Sequence, residues 1–472
     1  MDLVALGDTK MMYQQKQINR SVFRAYDIRG IIGQDLDEHS FYSIGLALAC
    51  YLQQLKRHQI FLAQDGRLTS PALSLALKQG LLDSGIDVVD LGSVATPVMY
   101  YATHTQGIDS GLMVTGSHNP ADYNGIKMVL AGKTLTQEDI DILYSLVAEG
   151  KRVAGCGKAT VLDVMNDYTQ RILSDIKIKR PLKVVVDCGN GIAGPVIPQV
   201  LSQLGCDVIP LYCDVDGRFP NHHPDPTIEA NLADLKEAVM THQADVGLAF
   251  DGDADRLGLI TNKGEMIWPD RLMMLYAREL LSRLPGATVV FDVKCSSLLE
   301  KVIVETGGVA KMCPTGHSIV KSVMKKEQAA LAGEMSGHLF FKDRWYGFDD
   351  ALYSACRLLE IISASSLTVS QQFELIPNSV NTPELKIAIA DEDKFVFMKR
   401  FSEEAEFSEA RIIPIDGMRV EFANGWGLLR ASNTTPCLVA RFEAIDKDNL
   451  KQIQHLFKRQ IHLVDNQLDL PF

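Results

Sequence analysis

The chain has 472 residues, of which 46% are hydrophobic and 22% charged, with 59 acidic against 47 basic side chains and a formal net charge of -12. That length implies three or four domains rather than one core. The acidic balance disfavours non-specific nucleic-acid binding, which needs a basic face, but does not exclude an anionic small molecule, because charges are screened beyond about 8 Å at physiological salt and a local basic pocket then decides.

In chain order, Asp2 and Asp8 stand where a secretory leader would be basic and then apolar. The apolar stretch 44–52 is interrupted by Gly45 and is too short to span a bilayer. Nine scattered cysteines without a C-x-x-C pair suit a reduced compartment, so a cytoplasmic protein with no membrane partner is expected. Ser70-Pro71 predicts a helix start with a capping hydroxyl and proline in the first turn, ended by Gly85; Thr96-Pro97 repeats the device, and Thr136 opens a helix that stops near Gly150. Short apolar runs at 60–63, 111–114, 184–186, 246–250 and 289–291 alternate with these helices and predict parallel sheets covered on both faces.

An internal similarity emerges from the same runs. An apolar strand leads to an acid at Asp65, Asp187 and Asp292, and further on each segment offers a second strand running into a polar, glycine-containing loop. This predicts three related α/β units, each with one functional loop at a strand's carboxyl end. The last hundred residues differ: strands at 387–389, 419–422, 427–429 and 438–442 and a helix at 447–461 describe an α+β module. The expected divisions are 1–160, 161–265, 266–377 and 378–472.

Four loops carry chemistry. Asp251, Asp253 and Asp255 crowd three carboxylates into five residues, with Gly252 for the turn and Arg256 following; hard oxygen donors without His or Cys suit Mg²⁺, although a solvated acidic turn has the same composition. Ser117 leaves its strand between Gly116 and His118, with Lys127 on the next strand. A serine needs a base or a cation to become a nucleophile, and a turn-capping serine fits the same pattern. Glu334, Met335, Ser336, Gly337 and His338 combine a carboxylate, a hydroxyl and an imidazole able to read sugar hydroxyls or to pair structurally. Arg430, Ala431, Ser432, Asn433, Thr434 and Thr435 offer a guanidinium, hydroxyls and an amide for phosphate, or a polar hairpin turn.

Taken in order, T-G-S-H-N-P at 115–120, D-G-D-A-D-R at 251–256, G-E-M-S-G-H at 333–338 and R-A-S-N-T-T-P at 430–436 resemble the α-D-phosphohexomutase family, nearest its bacterial phosphomannomutase/phosphoglucomutase group. The resemblance runs almost end to end and includes F-R-A-Y-D-I-R-G at 23–30, F-P-N-H-H-P-D-P at 219–226, T-G-H at 315–317 and R-W-Y-G-F-D-D at 344–350. It implies three α/β domains with mixed sheets and a C-terminal α+β domain around a central cleft.

The resemblance further implies a phosphoserine at Ser117, and Mg²⁺ held by Ser117, Asp251, Asp253 and Asp255. His118, Lys127 and Arg256 would line the transfer site, and Tyr26, Arg29 and Lys294 would sit close to the substrate. Glu334, Ser336 and His338 would read the sugar with Thr315, Gly316 and His317, and Arg430, Ser432, Asn433 and Thr434 would grip the other phosphate. A phosphoryl group would move between C1 and C6 of a hexose phosphate through a hexose 1,6-bisphosphate, with Lys127, His338 or Arg29 as general base. Ala63-Gln64 and Ser296-Ser297 depart from the family pattern. A hexosamine mutase of the same family, a haloacid-dehalogenase-type enzyme with Asp251 as nucleophile, and a non-catalytic sugar-phosphate-binding relative are the alternatives. Oligomeric state is not legible.

Overall fold

The computed structural model describes residues 13–433 and 435–472; Asp2, Asp8 and Thr434 lie outside them. Four sheets follow one another along the described chain. The first holds β1 (Ile28–Ile31), β2 (Gln59–Gln64), β3 (Asp87–Ser93), β4 (Gly111–Val114), β5 (Tyr123–Leu130), β6 (Lys133–Thr134) and β7 (Ala159–Val161), in the order β1-β5-β4-β2-β3-β7 with β6 on β5. The second holds β8 (Lys183–Asp187), β9 (Asp207–Leu211), β10 (Val246–Phe250), β11 (Leu257–Thr261) and β12 (Met266–Ile267), ordered β12-β11-β10-β8-β9. The third holds β13 (Thr288–Asp292), β14 (Val309–Cys313), β15 (Leu331–Gly333) and β16 (Leu339–Phe341), ordered β14-β13-β15-β16. The fourth holds β17 (Val380–Asn381), β18 (Leu385–Ala388), β19 (Arg411–Ile413), β20 (Met418–Phe422), β21 (Gly425–Ala431) and β22 (Cys437–Ala444), ordered β17-β22-β21-β20-β19 with β18 on β22.

A three-strand unit recurs in the first three sheets. β2, β8 and β13 pair in parallel with β4, β10 and β15. Those three strands then turn back into antiparallel β5, β11 and β16. The Ser117, Asp251–Asp255 and Glu334–His338 loops are the connections at that turn, one per sheet. The expectation of purely parallel sheets from the apolar runs is thereby corrected to mixed sheets, as the family resemblance implies. A short run buried on both faces looks the same whichever way its neighbour points.

Two capping expectations also change. Ser70 and Thr96 fall inside the helices Ser70–Asp83 and Thr96–Thr105 rather than before them. Their hydroxyls donate instead to Asp65 and Asp253, at 2.5 Å in both cases. Thr136 does cap its helix, with Asp139 completing the capping box. In the last unit the first expected strand sits at Leu385–Ala388, the later ones are longer than expected, and the helix continues to Val464.

One apolar core runs through the first three sheets, joining Phe61 and Met113 to Val184 and Leu248 and on to Val289 and Leu331. The fourth sheet has its own core around Phe442 and Phe457. It meets the third at Val293, Trp426 and Leu428. Arg419, lying over the Trp426 ring, donates to the carbonyls of Val293 and Cys295 at 2.7 Å each. Among the described residues, no helix is long and apolar enough to cross a membrane.

Asp350 caps the helix Ala351–Ser363 through the Tyr353 N–H (2.9 Å) and accepts from the Tyr168 hydroxyl, on the helix Met165–Asp175, at 3.0 Å. Burial outweighs these donors and pushes its carboxyl up to about 7. Across the window between the ordinary carboxylate value and 7, the folded chain therefore binds more protons than the unfolded one. The stabilisation from protonated Asp350 is complete below about pH 4 and is lost as pH rises through 7. Asp350→Asn should remove that slope, so its melting temperature should gain on wild type between about pH 4.5 and about pH 8. A gap independent of pH would refute the assignment.

Candidate active site

Ser117 leaves the end of β4 in a left-handed conformation, φ 49°, which costs a non-glycine residue energy and persists only where the surroundings hold it. Its N–H donates to Thr115 Oγ1 at 2.8 Å, and its buried hydroxyl donates to Asp251 Oδ2 at 3.2 Å. His118 Nδ1 lies 3.2 Å from the same hydroxyl. Burial, with Arg256 and Arg29 nearby, pushes the His118 imidazole well below its usual range and keeps it neutral.

The acidic loop arrives from the second sheet. Asp251, Asp253 and Asp255 are all buried, and each brings an oxygen within 4.8 Å of the others. Asp251 Oδ1 accepts the N–H groups of Asp255 and Arg256 at 3.0 Å each. Gly252 lies so close to the Ser117 loop that a Cβ there would stand 2.6 Å from the Ser117 carbonyl oxygen. Lys127, delivered by β5 opposite Met113, donates to Asp253 Oδ2 at 2.7 Å and also to Asp255. Burial disfavours the ammonium, but Asp253, Asp255 and Asp251 more than offset it and hold Lys127 protonated. Burial and the two neighbouring carboxylates push Asp251 up instead. Asp253 Oδ1 is buried with no hydrogen-bond partner. An all-oxygen donor set with one oxygen unpaired fits a hard divalent cation.

The third sheet supplies the next wall. Glu334 accepts the Gly316 N–H at 2.6 Å and lies 3.0 Å from His338 Nδ1, while His338 Nε2 lies 3.1 Å from Asp255 Oδ1. Burial opposes charge on this imidazole, yet Asp255 and Glu334 prevail and push it up to about 9. Gly316, at φ 135°, packs so close to Tyr26 that a Cβ would meet the ring at 2.8 Å, and His317 stands edge-on to the same ring. Ser336 Oγ is 3.1 Å from His338 Nδ1, and Met335 donates its N–H to Asp292 at 3.1 Å.

The fourth sheet closes the far end. Arg430, near the end of β21, donates through Nε to Asp416 Oδ2 at 2.9 Å; the same oxygen accepts the Thr315 N–H at 3.0 Å. Arg430 Nη2 is buried with no partner, and Asn433 donates to the Thr315 carbonyl at 3.4 Å. Lys294 donates to Glu384 at 2.5 Å, and Arg29 to Asp27 at 2.9 Å.

A single cleft of about 520 Å³ is lined by Tyr26, Arg29, Ser117, His118, Lys127, Arg256, Lys294, Thr315, His317, Glu334, Met335, Ser336, His338, Arg430, Ser432 and Asn433. The aspartate trio lies directly behind Ser117, while Gly316, Gly337 and Ala431 shape backbone without lining the cleft. Sequence reasoning missed Asp27, Asp225, Glu384 and Lys386 in the lining, Asp416 behind Arg430, and Arg67 beneath the Ser117 loop. The D-I-R and D-G-R triplets and the F-P-N-H-H-P-D-P segment were the available signals for Asp27, Arg67 and Asp225; Glu384, Lys386 and Asp416 had no such motif.

Lys127→Met should leave the trio short of a counter-charge in a dry site. Denaturant unfolding in chelator should show a loss of about 3–5 kcal/mol, and added Mg²⁺ should recover more stability in the variant than in wild type. Equal stability of the two proteins would refute the ion-pair assignment.

Residues 20–153, 166–264 and 268–379 match α/β/α domains I, II and III of phosphoglucomutase/phosphomannomutase, and residues 384–460 match its C-terminal domain. A phosphomannomutase/phosphoglucomutase of Pseudomonas putida is 49% identical over 452 residues, covering 96% of this chain and 98% of that one. A phosphoglucomutase of Neisseria meningitidis is 49% identical over 448 residues, covering 94% and 97%. The crystal structure of a phosphoglucomutase/phosphomannomutase family protein from Burkholderia thailandensis superposes with a TM-score of 0.91 at 45% identity, covering 96% of this chain and all of that one. With all four domains matched in order and such relatives spanning nearly its whole length, the chain belongs to the phosphoglucomutase/phosphomannomutase family.

Proposed function

We propose that this chain moves a phosphoryl group between C1 and C6 of a hexose phosphate, mannose or glucose, using Ser117 as carrier and a hexose 1,6-bisphosphate as intermediate. The observation that carries the reading is the Ser117 hydroxyl 3.2 Å from Asp251, on the floor of a cleft whose opposite end presents the unpaired Nη2 of Arg430. The names of the relatives agree with it.

Phosphoryl transfer depends mainly on positioning and charge neutralisation. Bound by Asp251, Asp253, Asp255 and a phosphoserine oxygen, Mg²⁺ would neutralise charge on the group in transit. Lys127 and Arg256 add fixed positive charge on the same side, and neutral His118 offers a hydrogen bond beside Oγ. The substrate's own phosphate rests on Arg430, Ser432, Asn433 and Thr434. Glu334, Ser336 and His338 hold the sugar between the two ends, with Thr315, Gly316 and His317 alongside, so either O1 or O6 can face Ser117. The incoming hydroxyl's proton would go to one of Lys127, His338 and Arg29; the neighbouring carboxylates hold Lys127 and His338 protonated, so either must first release its own proton to serve. After the first transfer the bisphosphate turns round, and the phosphate now facing the serine returns to it. A haloacid-dehalogenase-type reaction through Asp251 finds no support, because all four domains match phosphoglucomutase/phosphomannomutase in order.

Protein stripped of phosphate by a phosphatase should show a lag on glucose 1-phosphate and mannose 1-phosphate that glucose 1,6-bisphosphate abolishes. Ser117→Ala should lower turnover by orders of magnitude with the fold intact. Immediate turnover by stripped wild type, verified by mass, would overturn the carrier.

Chelation should abolish activity, with Mg²⁺ restoring it better than Ca²⁺, which tolerates looser coordination. Asp253→Asn should raise the Mg²⁺ concentration needed for half-maximal rate. Full turnover in metal-free buffer would remove the trio from the mechanism.

A further inference from the structure

Ser117 is not held by the groups that line the cleft. Beneath its loop lies Arg67, only 2% exposed, whose guanidinium takes four backbone carbonyls at once. Nη2 donates to Ser117 O (2.7 Å) and Asn119 O (2.6 Å), and Nη1 donates to Pro120 O (2.5 Å) and Tyr123 O (3.0 Å). The entry side of the same loop is fixed by Asp65, which accepts the Thr115 hydroxyl at 2.8 Å and the Gly116 N–H at 3.1 Å. Asp65 also lies 3.2 Å from Arg67 Nε. A Cβ at Gly116 would stand 2.2 Å from Arg67 Cζ, so the loop and the guanidinium fit only because residue 116 lacks a side chain.

The loop between β9 and β10 also packs on Arg67. Phe219, which opens the F-P-N-H-H-P-D-P segment, places its ring 5.0 Å from Arg67 Cζ and itself adopts a left-handed backbone, φ 50°. A bulky residue in that region is strained and needs surrounding contacts to stay there. Gly217 comes so close that a Cβ would meet the Arg67 Cα at 2.6 Å. Two strained loop residues from different units, Ser117 and Phe219, thus share one buried cation.

We propose that Arg67 is the positioning residue of the phosphoryl carrier: its four carbonyl bonds keep Ser117 in the left-handed conformation that aims Oγ at the aspartate trio, and Phe219 holds Arg67 in place. Arg67 does not line the cleft, and its carbonyl bonds all go to the Ser117 loop rather than to the Arg430 cradle. Loss of its grip misaims the carrier without weakening the hold on the substrate's distal phosphate. The effect therefore falls on kcat and leaves KM alone. Lysine can replace the charge but not the flat, forked donor set.

This inference rests on the reading of Ser117 as carrier. The experiment is steady-state kinetics on glucose 1-phosphate, with bisphosphate activator and Mg²⁺ present and at a temperature where melting curves show every variant folded. Arg67→Lys should lower kcat on the order of 100-fold with KM within about two-fold of wild type. Gly116→Ala, which pushes the guanidinium aside, should do the same, and the double variant should be little worse than either single one because both break one contact. Phe219→Leu, a partly exposed site that tolerates change, should give a smaller kcat loss in the same direction and serves even where Arg67→Lys does not fold. An Arg67→Lys enzyme with a lowered melting temperature but wild-type kcat, losses that appear in KM alone, or a Phe219→Leu enzyme with unchanged kcat would overturn the inference. Inactive wild type under these conditions would overturn the carrier reading instead.

Discussion

The Lys127 ammonium is the point on which the molecule closes. Three buried aspartates on one short turn repel each other, and within their own unit Arg256 offsets only part of that charge. The balancing charge comes from β5 of the first sheet, where the pairing with β4 fixes Lys127 opposite Met113 and carries its amine to Asp253 and Asp255. Asp255 also faces His338 of the third sheet, so one carboxylate joins the charge systems of three units. Remove the ion pair and the relative placement of the serine, the acids and the imidazole has no electrostatic reason to persist. The continuous apolar core holds the three units together, while the buried charges fix their alignment at the cleft.

The repeated strand unit explains how such different chemistry converges. In each of the first three sheets a strand enters the interior, its parallel neighbour returns to the same edge, and the turn into the antiparallel third strand leaves backbone and side chains free at the strand's carboxyl end. One turn carries a hydroxyl, the next three carboxylates, and the last a carboxylate and an imidazole. In the first and third units the first strand delivers an acid that braces the functional loop. Asp65 accepts from Thr115 and Gly116, and Asp292 accepts from Met335 and Thr315. Asp187 accepts the Gly189 N–H and lies 2.9 Å from His222.

Much of this was legible in the amino-acid sequence because the loops are contiguous and chemically dense. The turn holding Asp251, Asp253 and Asp255, the residues around Ser117, and the Glu334 to His338 stretch each declare themselves within six positions. Strand direction was not legible, since a run such as 246–250 is buried on both faces whether its neighbour is parallel or antiparallel. Ser70 and Thr96 looked like helix caps because a hydroxyl before proline usually is one; only the tertiary structure shows Asp65 and Asp253 claiming those hydroxyls. Asp416 escaped notice for a related reason. It is a lone acid in an unremarkable turn, and its meaning comes from Arg430 and Thr315, partners that lie 14 and 101 positions away.

Several cations of the cleft are paired with carboxylates, Lys294 with Glu384, Arg430 with Asp416, Arg29 with Asp27, Lys127 with the aspartates, and His338 between Asp255 and Glu334, while Arg256 donates to His338. An anion arriving from solvent meets a nearly neutral recess in a protein of net charge -12. Long-range attraction therefore contributes little to the encounter, and ionic strength has little to screen. Small inorganic anions, which offer charge and few contacts, must compete with carboxylates for most of these cations. With so many cations already facing carboxylates, a ligand gains more from the number of contacts it makes at once than from the field of the cleft.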